Sequence, residues 1–237
     1  MDAVLAPAVD PRDAALQASC PVVIAPRFGV LPEMPHGQRL IAAANGLFVQ
    51  VKLDWLDCIQ CLTPQGIGLP LPYGIVREHL RFSFGVLPIR LMEQFVELGR
   101  RSLPDETAGA LVFSRRRGQL RLAISPLMHS SPTRIDYRLP AMDTDESVAV
   151  DLHTHGRLPA FWSDTDNRDD QGIKVAGVFG RLDAARPDAC FRLVINGWFR
   201  PLPHPWTTLE SGRPTAPALG EPRPLLRRLL TRWSARG

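Results

Sequence analysis

Apolar residues along the chain fall mostly into short runs broken by proline and glycine, the pattern of strands rather than of long helices. In the first third such runs cover 22–25, 46–62 and 75–84. The Pro- and Gly-rich stretch 64–74 reads as a long turn. Residues 1–20 read as a loose lead-in. The pattern then changes. Leu87, Leu91, Phe95 and Leu98 recur at spacings of four, four and three, which gathers them on one face of a helix. Pro88 suits its first turn, and Gly99 and Pro104 mark its end. Strands are expected again at 108–113 and 119–125 around a turn at 115–118, and then at 148–155, 173–182 and 190–199. Prolines dominate from Pro201 to Pro224, and Leu225, Leu226, Leu229, Leu230 and Trp233 would share one face of a last short helix.

This order predicts an α/β protein: a mixed β-sheet flanked by helices, preceded by a small β-rich N-terminal domain. The expected divisions are 1–85 for the β-rich domain, 86–200 for the α/β domain, and 201–237 for a Pro-rich linker with a basic amphipathic helix. A chain of 237 residues suffices for one large domain or two small ones.

Charge changes the picture little. The net charge is +4, but Arg223, Arg227, Arg228, Arg232 and Arg236 sit in the last sixteen residues without an acidic neighbour. The rest of the chain is close to neutral, so no nucleic-acid-binding face is expected on the core. No run approaches the roughly 18 apolar residues of a membrane span. The first residues are acidic rather than basic, unlike a secretory signal, so the cytoplasm is the expected compartment. Four cysteines (Cys20, Cys58, Cys61 and Cys190) are too few for a disulfide scaffold. Cys58 and Cys61 form half of a structural zinc site with no partner pair, so buried thiols are expected.

The chemistry-bearing stretch is 151–166. In a strand, residues two apart share a side. Val148, Val150 and Leu152 are then expected to face one layer, and Asp151, His153 and His155 the other. Two imidazoles so placed reach one metal ion, and catalytic zinc takes three protein ligands plus water. Asp166 is the candidate third ligand. Ser163, three residues earlier, can cap a helical turn and offer its hydroxyl to the same site. Asp164, Asp169 and Asp170 either orient ligands or are solvated. The stretch fails as a calcium loop because Arg168 breaks the pattern. It fails as a zinc deaminase because the second motif position is His155 and no downstream P-C-x-x-C follows. His36, His79, His129 and His204 have no partners in sequence and are expected to be structural.

The spacing His153-x-His155, seven residues, Ser163-x-x-Asp166 resembles the JAMM motif of the JAB/MPN metalloproteases. The resemblance covers about residues 86–200 and implies a cytidine-deaminase-like α/β fold, a bound Zn2+ and hydrolysis of a peptide or isopeptide bond. It also implies an upstream glutamate as general base. Glu106, before the small and apolar run 107–113, matches that position, with Glu93 and Glu97 as rivals on the helix. Ser163 would hydrogen-bond the developing oxyanion, and Asp151 would support the ligands from behind. Many members carry Pro after the second histidine; here it is Gly156. The run from Asp151 to Ser163 further resembles the PRTRC system protein A group. That likeness implies a ubiquitin-like protein as substrate and a ThiF-like adenylating enzyme as a possible partner. The alternative function is a catalytically silent scaffold that keeps the fold.

Overall fold

The computed structural model describes residues 10–63 and 70–203. The expected helix at 225–233, His204 and most of the 64–74 turn lie outside the described residues. Helix α1 (Pro11–Ser19) opens the described chain, where the sequence pattern gave only a lead-in. It is capped by Asp10 and buries none of its residues, so there is no apolar stripe to read.

Five strands follow: β1 (Val22–Ile24), β2 (Gly37–Ala43), β3 (Gly46–Lys52), β4 (Leu56–Cys61) and β5 (His79–Phe82). They form one sheet in chain order, with β1 parallel to β2 and the other neighbours antiparallel. The expected single run at 46–62 is two strands. The chain turns at Leu53–Leu56, whose backbones bond each other, and plants Trp55 in the core at 1% exposure. Trp55 stacks with Phe82 and Phe84.

Helix α2 (Ile89–Ser102) buries Leu91, Met92, Phe95 and Gly99. Gly99 does not end the helix as expected. It lies inside, where a methyl group would meet Leu182 at 2.6 Å and Thr154 at 3.0 Å, so it lets the helix approach the sheet closely. Glu93 and Glu97 are exposed.

The second sheet has six strands in the order β13-β12-β11-β10-β6-β7. These are β6 (Ala108–Ser114), β7 (Gln119–Ile124), β10 (Glu146–Thr154), β11 (Ile173–Gly180), β12 (Asp188–Ile195) and β13 (Trp198–Leu202). β10 and β11 run parallel and the other pairs antiparallel, so the sheet is mixed. A hairpin of β8 (Leu127–Ser131) and β9 (Arg134–Tyr137) interrupts the connection from β7 to β10. The expected run at 190–199 breaks at Asn196–Gly197, both at positive φ (49° and 83°), the tight turn that joins β12 to β13. Pro201 lies in β13, an edge strand where a missing N–H is tolerated.

A β-bulge at Ala149 alters the expected faces of β10. Val148 pairs with Val112 and Val150 with Leu111, leaving Ala149 between them. Val148 therefore packs with Ala110, Val112 and Ala123 on one face. Val150 and Leu152 join the main core on the other. The expectation that Val148, Val150 and Leu152 share a layer fails at Val148 because the bulge shifts the alternation by one. Asp151 and His153 keep the face opposite Leu152.

The main core is one continuous cluster. Val49, Val51, Trp55, Leu56 and Cys58 of the first sheet join Leu91 and Phe95 of α2 and Val150, Leu152, Val175, Leu193 and Ile195 of the second. Arg200 also donates to the Gln60 side chain, and Asn196 to Gln38 at 2.8 Å. One face of the six-stranded sheet is thus covered, and the face carrying Asp151 and His153 is left for other work. Cys58 is buried and its thiol is pushed up to about 12, chiefly by that burial, an inert thiol.

Candidate metal centre

β10 delivers His153 near its C-terminal end, and the chain continues straight through Thr154 to His155. The His155 N–H bonds the Phe179 carbonyl at 2.8 Å, which ties this end to β11. Gly156 then adopts φ +53°, a left-handed angle that proline cannot take. The loop leaves the second histidine by a path closed to the proline common in the resembling family. Its next residues lie across the end of β11: the Leu158 carbonyl accepts from Arg181 N–H at 2.7 Å, and Gly180 offers no side chain where Ala160 and Pro159 pass.

The loop ends at Ser163, the N-cap of α3 (Asp164–Asp169). Ser163 and Asp166 form a capping box. The Asp166 N–H donates to Ser163 Oγ at 3.1 Å. The Ser163 N–H and hydroxyl both donate to Asp166 Oδ2 at 2.7 Å. Oδ2 is occupied by the cap, and Oδ1 is left facing His153 Nε2 at 3.2 Å. The hydrogen bonds that start the helix therefore also aim the carboxylate. The Ser163 hydroxyl proton is engaged by Asp166, so it meets an oxyanion only by rotating away from that carboxylate.

His153 Nε2 and His155 Nε2 are 3.2 Å apart. One potential ligand atom from each of His153, His155 and Asp166 lies within 4.8 Å of the others. Tetrahedral zinc with bonds of about 2.05 Å needs neighbouring nitrogens about 3.3 Å apart, so the imidazole spacing fits such an ion. The protonation states fit too. Burial, then the neighbouring His153, holds His155 below the usual imidazole range and favours the neutral ligand form. Burial alone would raise Asp166, but His153 and Ser163 outweigh it and keep the carboxyl well below the usual range. His155 Nδ1 is buried with no hydrogen-bond partner among the described residues. The Phe161 ring meets the His155 ring edge-on at 4.6 Å between centroids.

Glu106 stands beside these three. Ala108 lies opposite His153 in the β6–β10 register, so Glu106, two residues earlier, points to the same face. Its neighbourhood is pinned from both sides. Thr107 and Thr154 exchange two hydrogen bonds at 2.9 Å. Ser130 of β8 donates to the Glu106 carbonyl at 2.6 Å, and Glu106 N–H donates to Ser131 at 3.1 Å. Glu106 is 5% exposed. Burial raises its carboxyl to about 7, with His153 opposing and Asp166 reinforcing the rise.

Asp151 shares the face of His153 but contacts neither histidine among the described residues. It accepts from Tyr137 hydroxyl at 3.0 Å and Lys174 Nζ at 2.7 Å. Lys174 also pairs with Asp170 at 2.9 Å, and Asp170 with Arg192 at 2.6 Å. Sequence reasoning passed over Tyr137, Lys174, Arg192 and the pairing of Asp170. One signal was available: Arg192 breaks the apolar run of β12 in mid-strand. Asp164 and Asp169 are exposed. Of the other histidines, His79 pairs with Asp57 at 2.9 Å, and His36 lies 3.9 Å from Asp54.

Residues 88–194 match a family model described as prokaryotic homologs of the JAB domain. This segment is a JAB-family domain. The JAB domain comprises α2 through most of β12, so it contains every residue of the candidate metal centre. Residues 10–83 match a second model, a domain of unknown function (DUF2016). No curated protein matches the chain in sequence. Among solved structures, that of protein DSY2949 from Desulfitobacterium hafniense is similar at 17% identity and a TM-score of 0.38. The match covers 48% of this chain and 86% of that one. No helix among the described residues is long and apolar enough to cross a membrane.

Proposed function

We propose that the JAB domain is a zinc-dependent peptidase that hydrolyses a peptide or isopeptide bond. The observation that carries this reading is the convergence of two histidines and a carboxylate on one face, with a buried glutamate beside them. His153, His155 and Asp166 would hold the ion. Zinc, when bound, supplies Lewis acidity at that point. Glu106 takes a proton from the attacking water and returns it to the leaving amine. A carboxyl near neutrality is suited to both transfers. Ser163 keeps Asp166 aimed through the capping box and, on rotating, donates to the oxyanion. The C-terminus of a ubiquitin-like protein, with a ThiF-like adenylating enzyme as partner, is the substrate system that the family resemblance supports.

The test is metal analysis of the full chain, with cleavage assayed on fusions to ubiquitin-like proteins. One zinc per chain is expected, lost in His153→Ala and kept in Glu106→Gln, with cleavage absent from both. Stoichiometric zinc in His153→Ala overturns the ligand assignment. Full cleavage by Glu106→Gln overturns the role of Glu106. A zinc-loaded native chain that cleaves none of these fusions favours the scaffold reading.

A further inference from the structure

Helix α3 carries one of the three candidate ligands, yet it spans only six residues and buries none of them. A helix this short is not stable alone, and it has no apolar face to dock. Its position must come from polar contacts, and those lie at its C-terminal end. Asp170, the C-cap, is 8% exposed, and its Oδ2 accepts from Arg192 Nε at 3.0 Å and from a terminal guanidinium nitrogen at 2.6 Å. The other terminal nitrogen donates to Asn167 Oδ1 at 2.6 Å. Asn167 directly follows the ligand Asp166.

Arg192 itself is buried and packed against two aromatic rings. It is 4% exposed and its guanidinium is clamped between the Trp162 and Phe199 rings, 3.9 Å from each centroid. Trp162 directly precedes the Ser163 cap, so one side chain holds both the entry and the exit of α3. Lys174 completes the arrangement. It bridges Asp170 to Asp151, two residues before His153 on the same face of β10. The helix and the strand that carry the candidate ligands are thereby joined through the buried Arg192, the half-buried Lys174 and two buried carboxylates.

We propose that Arg192 is a positioning residue for the metal centre: through Asn167, Asp170 and Trp162 it sets where Asp166 stands relative to His153 and His155. Lys174 sets the same relation from the strand side. This rests on the zinc reading above. Its mechanism is geometric. Guanidinium binds two groups in a fixed plane and stacks on aromatic faces, and an ammonium does neither. Partners that orient metal ligands typically change metal affinity by about 10–100-fold when lost.

The test uses the full chain loaded with cobalt(II), whose visible absorption reports ligand geometry, together with zinc affinity measured by chelator competition. Arg192→Lys keeps the charge but loses the fork and the stacking, and should weaken zinc about 10-fold or more with an altered cobalt spectrum. Asn167→Ala leaves no buried charge unpaired, and should weaken zinc several-fold. Ile195→Val destabilises the opposite face of the same strand and should leave both readouts native. Folded Arg192→Lys and Asn167→Ala proteins with native affinity and spectrum overturn the proposal. So does an Ile195→Val protein that weakens zinc as much as they do, since any loss of stability would then suffice. If Arg192→Lys does not fold, Asn167→Ala decides alone. A native chain that binds neither metal overturns the zinc reading and this inference with it. Native binding that is unchanged in the variants overturns only the inference.

Discussion

At Ser163 a single hydroxyl both caps a helix and holds the candidate ligand carboxylate of Asp166, so one substitution acts on both. Ser163→Ala should lower stability by about 1 kcal/mol, as lost caps do, and weaken zinc binding because Oδ2 of Asp166 loses a donor. Turnover should fall more than the Michaelis constant rises if the hydroxyl also serves the oxyanion. Melting temperature, chelator competition and steady-state rates separate the three effects, and an unchanged turnover per bound zinc removes the oxyanion role. Glu106 makes a pH-dependent prediction. Its carboxyl is raised from 4.5 to about 7 by burial, so the folded metal-free chain favours the neutral form. The stability from this residue is fully present below about pH 4.5 and is lost as pH rises through about 7. Glu106→Gln stays neutral, so the melting temperature of the metal-free variant should gain on the native chain across that window. A difference that stays flat with pH would mean that Glu106 is not buried as described. Ser163 and Asp166 were legible from their spacing after His153 and His155, and Glu106 from its place before the apolar run 107–113. Asp170 was not: four acidic residues crowd 164–170 together with Asn167 and Arg168, and only the fold selects which of them meets Arg192.

Among the elements, the strand that carries the candidate ligands and the loop that follows it were visible in outline, and the breaks in other runs were not. Apart from Arg192, the run at 190–199 is apolar on both sides of Asn196–Gly197, so the hairpin signal lay inside what read as one strand. The run at 46–62 hides its turn in the same way, because the turn residue Trp55 is a core residue. The bulge at Ala149 leaves no trace in composition, since alanine fits either face. β2 went unread because its inward positions include Arg39, buried against Gln50 and the Pro32 carbonyl. A tight contact beside the candidate site is at Gly180, where a methyl group would fall 2.3 Å from Ala160 N and 2.4 Å from Leu158 O. Backbone cannot give as a side-chain tip does, so Gly180→Ala should cost on the order of 1–3 kcal/mol. It should also displace the loop between His155 and Ser163 and weaken zinc binding. A variant with native melting temperature and zinc affinity would show that this loop is not held against β11.

For the whole molecule, the two family models meet between residues 83 and 88, yet the apolar core runs across that boundary. Val49, Val51 and Trp55 from one side and Leu193 and Ile195 from the other belong to the same buried cluster. A fragment of residues 86–203 should therefore expose a large apolar face and fail to stay soluble. The full chain should unfold in one transition, with Trp fluorescence and far-ultraviolet circular dichroism coinciding. Two separated transitions, or a soluble folded fragment, would contradict this. The sequence pattern showed the β-rich first third and the α/β remainder, because strand alternation and helix period are local signals. It could not show that the two would share a core, which depends on which faces meet. The shared core has a practical consequence for any bulky substrate. With the first sheet spread over one face of the six-stranded sheet, a substrate of the proposed peptidase would be presented from the other half-space. A chain tethered to a bead through an exposed residue of β5, such as Arg81, should turn its metal centre outward and still accept a large conjugate, whereas a tether near α3 should shut that conjugate out while a short peptide still enters.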